Sequence, residues 1–208
     1  MLSRISTRGS FSGSVKIFHA GFDIYLESIA IDDAESLALE ANSREIAESI
    51  AAVGSFPSPY LIENAVSFIQ NAMKAALEGR EFHFAIKSMA DKSLVGVCGI
   101  TNVDNVSMKA EIGYWVGKTH WGNGYGKQAA SLLLEIAFEK LGLNRVYATV
   151  LSFNERSIKL LQSVGFVKEG VLRDSTKAAL TASAAFTDDL MFGLLRKDYK
   201  PLGAKFDM

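Results

Sequence analysis

The chain has few of the residues from which disulfide frameworks, metal centres and nucleic-acid surfaces are built. It has one cysteine in 208 residues, Cys98, so no internal disulfide can form, which fits a reducing compartment such as the cytoplasm. Its three histidines, His19, His83 and His120, are scattered without the spacing of metal ligands, and we expect no metal. A net charge of −1 without any basic run predicts no nucleic-acid partner.

The sequence has no long hydrophobic run, and we do not expect its first residues to act as a secretory signal. The longest apolar stretches are far short of a membrane span, which predicts no membrane partner. Residues 1–20 begin with two arginines and many small residues but contain no apolar core of a signal peptide. We interpret them as a flexible N-terminal extension and residues 21–208 as a single domain, since this length suits one core. We expect a cytoplasmic monomer or homodimer.

Hydrophobic periodicity predicts strands alternating with helices, interrupted by only three prolines. A small, polar segment at 177–185 is predicted to be a mobile loop. The elements predict an α/β (α+β) domain with a mixed sheet and helices on both faces. Strands are predicted at about 23–30, 82–88, 94–102, 109–117, 145–151, 166–172 and 187–195, and helices at about 32–42, 44–52, 61–78, 125–141 and 155–164.

Residues 110–126, with the sequence AEIGYWVGKTHWGNGYG, join a β-rich segment to a glycine-dense turn and the start of a helix. Gly122, Gly124 and Gly126 remove Cβ atoms where a backbone bends sharply or approaches a ligand closely. Unpaired amides and the helix dipole both favour an anion at a helix N-terminus. The stretch therefore predicts an anion site for a phosphate-bearing ligand at the start of this helix.

Two better-known phosphate loops do not fit this turn. A P-loop requires Ser or Thr after its Gly-Lys, and here Gln128 follows Lys127. A dinucleotide fingerprint reads G-x-G-x-x-G, whereas this turn reads G-x-G-x-G and has no obvious acidic residue at the end of the next strand. Taken alone, the turn is also compatible with a glycine-rich connection that binds nothing.

The stretch resembles the acetyl-CoA-binding motif of the GCN5-related N-acetyltransferase (GNAT) superfamily, Q/R-x-x-G-x-G/A. That pattern falls on residues 121–126, with Trp121 in place of Gln or Arg. The preceding Ala-Glu-Ile-Gly-Tyr-Trp resembles the subgroup of ribosomal-protein alanine/serine N-terminal acetyltransferases. A second matching block runs from Asn154 to Arg173, and the resemblance covers roughly residues 22–197.

The resemblance implies a GNAT-like mixed, mostly antiparallel sheet that splays between strands 109–117 and 145–151. In that splay the pantetheine arm of acetyl-CoA pairs with the strand end as an extra pseudo-strand. Asn154 is a helix N-cap by its position, and the resemblance adds a side-chain contact to pantetheine. The other implied contacts of acetyl-CoA are Trp115, Val116 and Gly117 at the strand end, and Trp121, Gly122, Asn123, Gly124, Tyr125, Gly126 and Lys127 in the turn and helix start.

Acetyl transfer to an amine needs a base, donors for the oxyanion and a proton donor for the departing thiolate. Amides near Val116 are the candidate oxyanion donors. Many family members use a Tyr as the proton donor at the position where this chain has Leu161. The resemblance therefore points to Ser157 as the proton donor. The alternative is that Ser157 only bonds to the local backbone.

Glu111 is the candidate base because it lies in the strand leading to the thioester, and burial against Trp115 and Tyr114 is expected. A purely structural role is the alternative for Glu111. Asp188 and Asp189 are the weaker candidates for the base.

These residues predict direct transfer of an acetyl group from acetyl-CoA to a primary amine, because no cysteine lies in the motifs to form an acetyl-enzyme. The subgroup resemblance favours a peptide or protein N-terminal α-amine. One alternative acceptor is a small-molecule amine such as a polyamine, an amino sugar or an antibiotic. Another alternative is a non-catalytic acyl-CoA-binding sensor.

Overall fold

A single mixed sheet organises the chain. The computed structural model describes residues 15–50, 56–177 and 186–207, and within them nine strands and five α-helices are found. The strands are β1 (Lys16–Phe18), β2 (Ile24–Ser28), β3 (Phe82–Ser88), β4 (Leu94–Asp104), β5 (Lys109–Val116), β6 (Arg145–Leu151), β7 (Val167–Lys177), β8 (Phe186–Leu195) and β9 (Lys205–Asp207). The helices are α1 (Ala34–Ala41), α2 (Arg44–Ile50), α3 (Ile62–Leu77), α4 (Tyr125–Glu135) and α5 (Glu155–Ser163).

The strand order is β7-β8-β6-β5-β4-β3-β2-β1-β9, and every neighbouring pair is antiparallel except β5 and β6. This parallel pair is short, because only Lys109–Glu111 is in register with Arg145–Tyr147. Beyond Glu111 the two strands diverge. The sheet therefore opens at its parallel junction, where the resemblance implies a splay.

Helices cover both faces of the sheet, as predicted. Helix α4 buries an apolar stripe that includes Leu132 and Leu133 in the larger core. On the opposite face α1 and α3 bury Leu37 and Ile69 in a second core over β3 and β4. Each stripe follows the spacing that brings side chains to one side of a helix. The predicted mixed, mostly antiparallel sheet between two helical layers is confirmed.

Two short strands at one end of the sheet were not predicted. Strand β1 lies within residues 1–20, which the sequence assigns to an extension, and it pairs with β2 on one side and β9 on the other. Three residues are too few to show an alternating pattern, so the sequence carries no strand signal there. The predicted loop at 177–185 lies outside the described residues except for Lys177, the last residue of β7.

The C-terminal segment is held to the fold by a buried carboxylate. Glu135, at the end of α4, accepts hydrogen bonds from the Tyr199 hydroxyl and from the amides of Leu202 (2.9 Å) and Ala204 (3.2 Å). A π-helical turn, Ile136–Lys140, follows directly and replaces the regular helix predicted to 141. Because a buried carboxylate is unfavourable unless it is hydrogen-bonded, these contacts fix the path of the chain into β9.

Candidate active site

The divergence of β5 and β6 opens a cleft of about 1120 Å³. Its walls are residues 111–116 of β5, residues 148–151 of β6 and the first turns of α4 and α5. A cavity of this size accommodates a ligand at least as large as a typical cofactor. The cleft lies where the sequence predicts the ligand.

The edge of β5 presents backbone amides to this cleft. The amide of Gly117 donates to the carbonyl of Val95 at 2.8 Å, so the odd-numbered residues of β5 bond to β4. By alternation, the backbone groups of Ile112, Tyr114 and Val116 face the opposite edge. Since β6 pairs with β5 only as far as Glu111, the groups of Tyr114 and Val116 point into the cleft. An open edge of this kind accepts an extended amide-bearing chain as an added strand.

Trp121 links the end of β5 to helix α5. Its indole Nε1–H donates to the carbonyl oxygen of Val116 at 2.7 Å, and the Arg156 guanidinium lies 4.2 Å from the ring centre. The second contact has the geometry of a cation–π interaction. The Trp121 indole thus occupies the carbonyl oxygen of Val116 at the cleft. The N–H of Val116 takes no part in this contact.

The glycines of the turn serve two different purposes. Gly122 (φ +88°) and Gly124 (φ +77°) adopt the left-handed conformation, and within the described chain no atom lies within 4 Å of a Cβ built on either. They therefore shape the backbone beneath open space that a ligand can enter. Gly126 differs, because a Cβ there would lie 3.0 Å from Leu160 Cδ1, so this glycine lets α4 pack closely on α5.

Most of the predicted acetyl-CoA contacts line the cleft, namely Trp115, Val116, Trp121, Gly122, Gly124, Tyr125, Gly126, Lys127 and Asn154. Gly117 and Asn123 are not among the lining residues. Gly117 is buried, and a Cβ there would collide with the Glu40 carboxylate. Asn123 is exposed, and its Nδ2 donates to the His120 carbonyl at 3.2 Å. In the structure Gly117 therefore serves close packing, and Asn123 stabilises the turn.

Asn154 caps α5 and also reaches α2. Its Oδ1 accepts from the amide of Ser157 at 3.1 Å, and its Nδ2 donates to the carbonyl of Ser49 at 3.1 Å. The predicted N-cap is confirmed. An amide side chain has two donor hydrogens and two acceptor lone pairs, so one of each remains for a ligand in the cleft.

Ser157 meets a residue that the sequence analysis did not assign to the site. Its Oγ lies 3.0 Å from the hydroxyl of Tyr114, whose side chain packs on the core beneath α4. Burial raises the pKa of Tyr114 to about 12, against an opposing effect of the Ser157 hydrogen bond. The sequence did carry a signal for Tyr114, because its hydroxyl is a polar group on a strand face that Ile112 and Val116 otherwise make apolar. Leu161 is fully buried in the core.

Glu111 lines the cleft from the other face of β5, half-buried, and its Oε2 accepts from Asn102 Nδ2 at 2.9 Å. Tyr147 is its register partner on β6, and the pKa of Tyr147 is raised by burial and then by the charge of Glu111. The expected burial by Tyr114 is wrong, because residues three apart on a strand point to opposite faces. Trp115 does share the face of Glu111, where its ring packs against Phe56.

The two weaker candidates for the base lie in different places. Asp189 is buried, lines the cleft and accepts from Thr176 Oγ1 at 2.7 Å. Asp188 is not a lining residue, and its Oδ1 accepts from the amide of Asp174 at 2.9 Å. Of the two, Asp189 has the better access to a ligand.

The charges of the cleft are separated. Lys127 in α4 and Arg156 and Lys159 in α5 bring positive charge to the helix starts, beside the glycine turn. Glu111 and Asp189 bring carboxylates to the strands. This arrangement suits a ligand that is anionic at one end and meets a cation at the other.

Two kinds of feature were sought in the described ranges of the chain, groups of metal-ligating side chains and helices that could span a membrane. Within residues 15–50, 56–177 and 186–207, no group of three or more His, Cys, Asp or Glu side chains is placed to hold a metal ion. In the same ranges no helix is long and apolar enough to span a bilayer. Cys98 is buried, and burial raises the pKa of its thiol well above the usual range.

Comparison with known proteins gives consistent results. Residues 23–167 match the family described as the acetyltransferase (GNAT) domain. The uncharacterized N-acetyltransferase p20 of Bacillus licheniformis is 38% identical over 138 residues, which are 66% of this chain and 75% of that protein. The [ribosomal protein uS5]-alanine N-acetyltransferase of Escherichia coli is 27% identical over 125 residues, 60% of this chain and 62% of the relative.

The fold is also found in solved structures. RimJ of Mycobacterium smegmatis, in complex with CoA-disulfide, superposes with a TM-score of 0.76 at 24% identity, over 89% of this chain and 87% of its own. The family match over residues 23–167 and the relative p20 define the class as an acetyltransferase, and the solved structure shows the same fold. The chain belongs to the GNAT family, and it is an acetyl-CoA-dependent N-acetyltransferase.

Proposed function

We propose that the protein transfers an acetyl group directly from acetyl-CoA to the α-amine at the N-terminus of a peptide or protein. The observation that carries this proposal is that one cleft brings together the edge amides of β5, the glycine turn and the carboxylate of Glu111. The acceptor class is supported by the relative in Escherichia coli, whose name states that it N-acetylates an alanine of ribosomal protein uS5.

Acetyl-CoA fits the cleft by the chemistry of the groups that line it. Its pyrophosphate binds the amides of residues 122–127 at the start of α4, where the helix dipole favours negative charge. Lys127 and Arg156 add positive charge beside that turn. The pantetheine amides pair with the open edge of β5, and Asn154 offers its remaining donor and acceptor to the same arm.

The chemistry follows from the groups at the end of that edge. The amide of Val116 points into the cleft and stabilises the negative charge that develops on the thioester oxygen. Glu111 removes a proton from the acceptor ammonium, directly or through a water, so that the amine can attack. Ser157 serves the departing sulfur. No side chain becomes acetylated, since Cys98 is buried away from the cleft lining.

A small-molecule amine is the second candidate acceptor, and the carboxylates in the cleft favour it. Glu111 and Asp189 both line the cleft, and two carboxylates suit an acceptor that carries more than one positive charge, such as a polyamine. An N-terminal α-amine presents a single charge followed by a peptide backbone. The two candidates therefore differ in how much they depend on Asp189.

The test is a thiol-release assay with acetyl-CoA and a panel of N-terminal peptides, polyamines and aminoglycosides. The proposal expects release only with acceptors, and the highest kcat/KM with peptides that start with a small residue. Highest activity with a polyamine, lost in Asp189→Asn, would support the second candidate. CoA binding without thiol release from any acceptor would support the acyl-CoA sensor.

A further inference from the structure

We propose that Tyr114 is a positioning residue that orients the Ser157 hydroxyl so that its hydrogen points at the sulfur of the departing CoA. This inference rests on the proposed function, because it assigns a role in the same acetyl transfer. It explains why a tyrosine of the strand and a serine of the following helix meet at the cleft, although they are 43 residues apart in the sequence.

The contact is defined on both sides of the serine. Ser157 Oγ lies 3.0 Å from the Tyr114 hydroxyl, and the Ser157 amide is held by Asn154 Oδ1 at 3.1 Å. Both Tyr114 and Ser157 line the cleft. A serine in the first turn of a helix usually turns its hydroxyl to the local backbone. Here the hydroxyl bonds to the neighbouring strand instead, and its orientation is set by Tyr114.

Either hydroxyl can donate in this hydrogen bond, and the surroundings of the phenol favour donation by Tyr114. A tyrosine with the ordinary pKa of about 10 is protonated at neutral pH, and burial against the larger core raises the pKa of Tyr114 further, to about 12. A buried O–H that does not donate is unfavourable. If the phenol donates to Ser157 Oγ, the serine cannot donate back along the same line. Its own hydrogen is then directed elsewhere, towards the open cleft.

The serine acts by hydrogen bonding and not by giving up its proton permanently. A thiol has a pKa near 8.5, far below that of an alcohol, so a thiolate does not keep a serine proton. The amine nitrogen bonds to the acetyl carbon, the C–S bond breaks and its electron pair stays on sulfur. Of the three protons of the acceptor ammonium, one remains on the amide, one ends on the thiol and one is released.

The test is a double-mutant cycle of Tyr114→Phe and Ser157→Ala, measured as kcat and as KM for acetyl-CoA. We expect Tyr114→Phe to lower kcat about 5- to 10-fold, the effect of one lost hydrogen bond, with KM nearly unchanged. Ser157→Ala should lower kcat at least as much, and the double variant should equal Ser157→Ala. Ser157→Thr, which keeps the hydroxyl, should restore part of the rate.

A matched control is Tyr25→Phe, a buried tyrosine of β2 outside the cleft, which should keep the native kcat. Because Tyr114→Phe could lower stability, the melting temperatures of the variants are compared with that of the native protein.

Three results overturn this inference: full kcat in Tyr114→Phe, a change confined to KM, or effects of the two substitutions that multiply in the double variant. If Tyr114→Phe has no effect while the native protein acetylates amines, only the positioning role fails. If the native protein releases no thiol with any acceptor, the proposed function fails as well.

Discussion

The two faces of β5 differ in what they bring to the cleft. On the face towards α4, the Tyr114 hydroxyl meets Ser157 among apolar side chains. On the opposite face, Glu111 accepts from Asn102 and lies beside Tyr147 in more polar, half-buried surroundings. The edge of the strand, with its amides, lies between them. Strand alternation thus separates the residues proposed for the departing sulfur from the residue proposed for the arriving amine.

This separation has a chemical advantage. A base and a hydrogen-bond donor that faced each other would pair together and lose their separate functions. In the proposed mechanism, Glu111 and Ser157 reach the same cleft from opposite faces of β5 and act on the acetyl group from two sides. The predictions below test the two faces separately and then the edge between them.

The largest effect is expected on the polar face. Glu111→Gln keeps the shape of the side chain but removes the base, so kcat/KM should fall about 10²-fold while CoA binding is kept. The measurement is steady-state kinetics with the best acceptor, and Glu63→Gln, an exposed carboxylate of α3, is the matched control. Near-native turnover in Glu111→Gln would make Glu111 structural and move the search for the base to Asp189 or to a water chain.

The next effect concerns the turn that follows the edge. Gly124→Val should weaken CoA binding about tenfold or more, because a left-handed valine is strained and its Cβ fills the space proposed for pyrophosphate. Calorimetry with CoA measures the loss. Gly79→Val is a matched control, since Gly79 is also left-handed with open space around it but ends α3. Equal CoA affinity in both variants would contradict the phosphate placement.

A smaller effect is expected where Trp121 holds the edge. Trp121→Phe keeps a ring for Arg156 but loses the N–H that bonds to the Val116 carbonyl. Loss of one hydrogen bond corresponds to about 1 kcal/mol, so kcat/KM for acetyl-CoA should fall roughly fivefold. Comparison with Arg156→Ala, which removes the contact on the other side of the ring, separates the two roles. Unchanged kinetics in Trp121→Phe would exclude a role for the indole N–H.

The smallest effect is on stability, at the residues just after β5. Lys118 pairs with Glu45 of α2 and lowers the pKa of that carboxyl to about 2. A lowered carboxyl pKa contributes stability above the unfolded value near 4.5, and this contribution is lost as the pH falls towards 2. Glu45→Gln should therefore lower the melting temperature slightly at pH 7 and not at pH 2. An equal difference at both pH values would contradict this account.

The sequence predicted the regular elements and the turn well, because each carries a local signal. Strands β3 and β6 have the predicted bounds 82–88 and 145–151, where β-branched and aromatic residues are frequent. The pairing of Tyr114 with Ser157 depends on how α5 packs beside β5, which no local pattern encodes. The position of Tyr114 relative to Glu111 was predictable, since an odd separation on a strand already places them on opposite faces.

The pairing of β1 with β9 has a consequence for the way this chain can be rearranged. Lys16 and Asp207 are register partners, so the two ends of the described chain lie side by side at the edge of the sheet away from β7 and β8. A short linker between these ends should permit circular permutation, with new ends in the exposed β3–β4 turn at Asp91 and Lys92. The cleft would stay intact in such a permutant. The original ends, now joined to each other, would carry no tag or fusion.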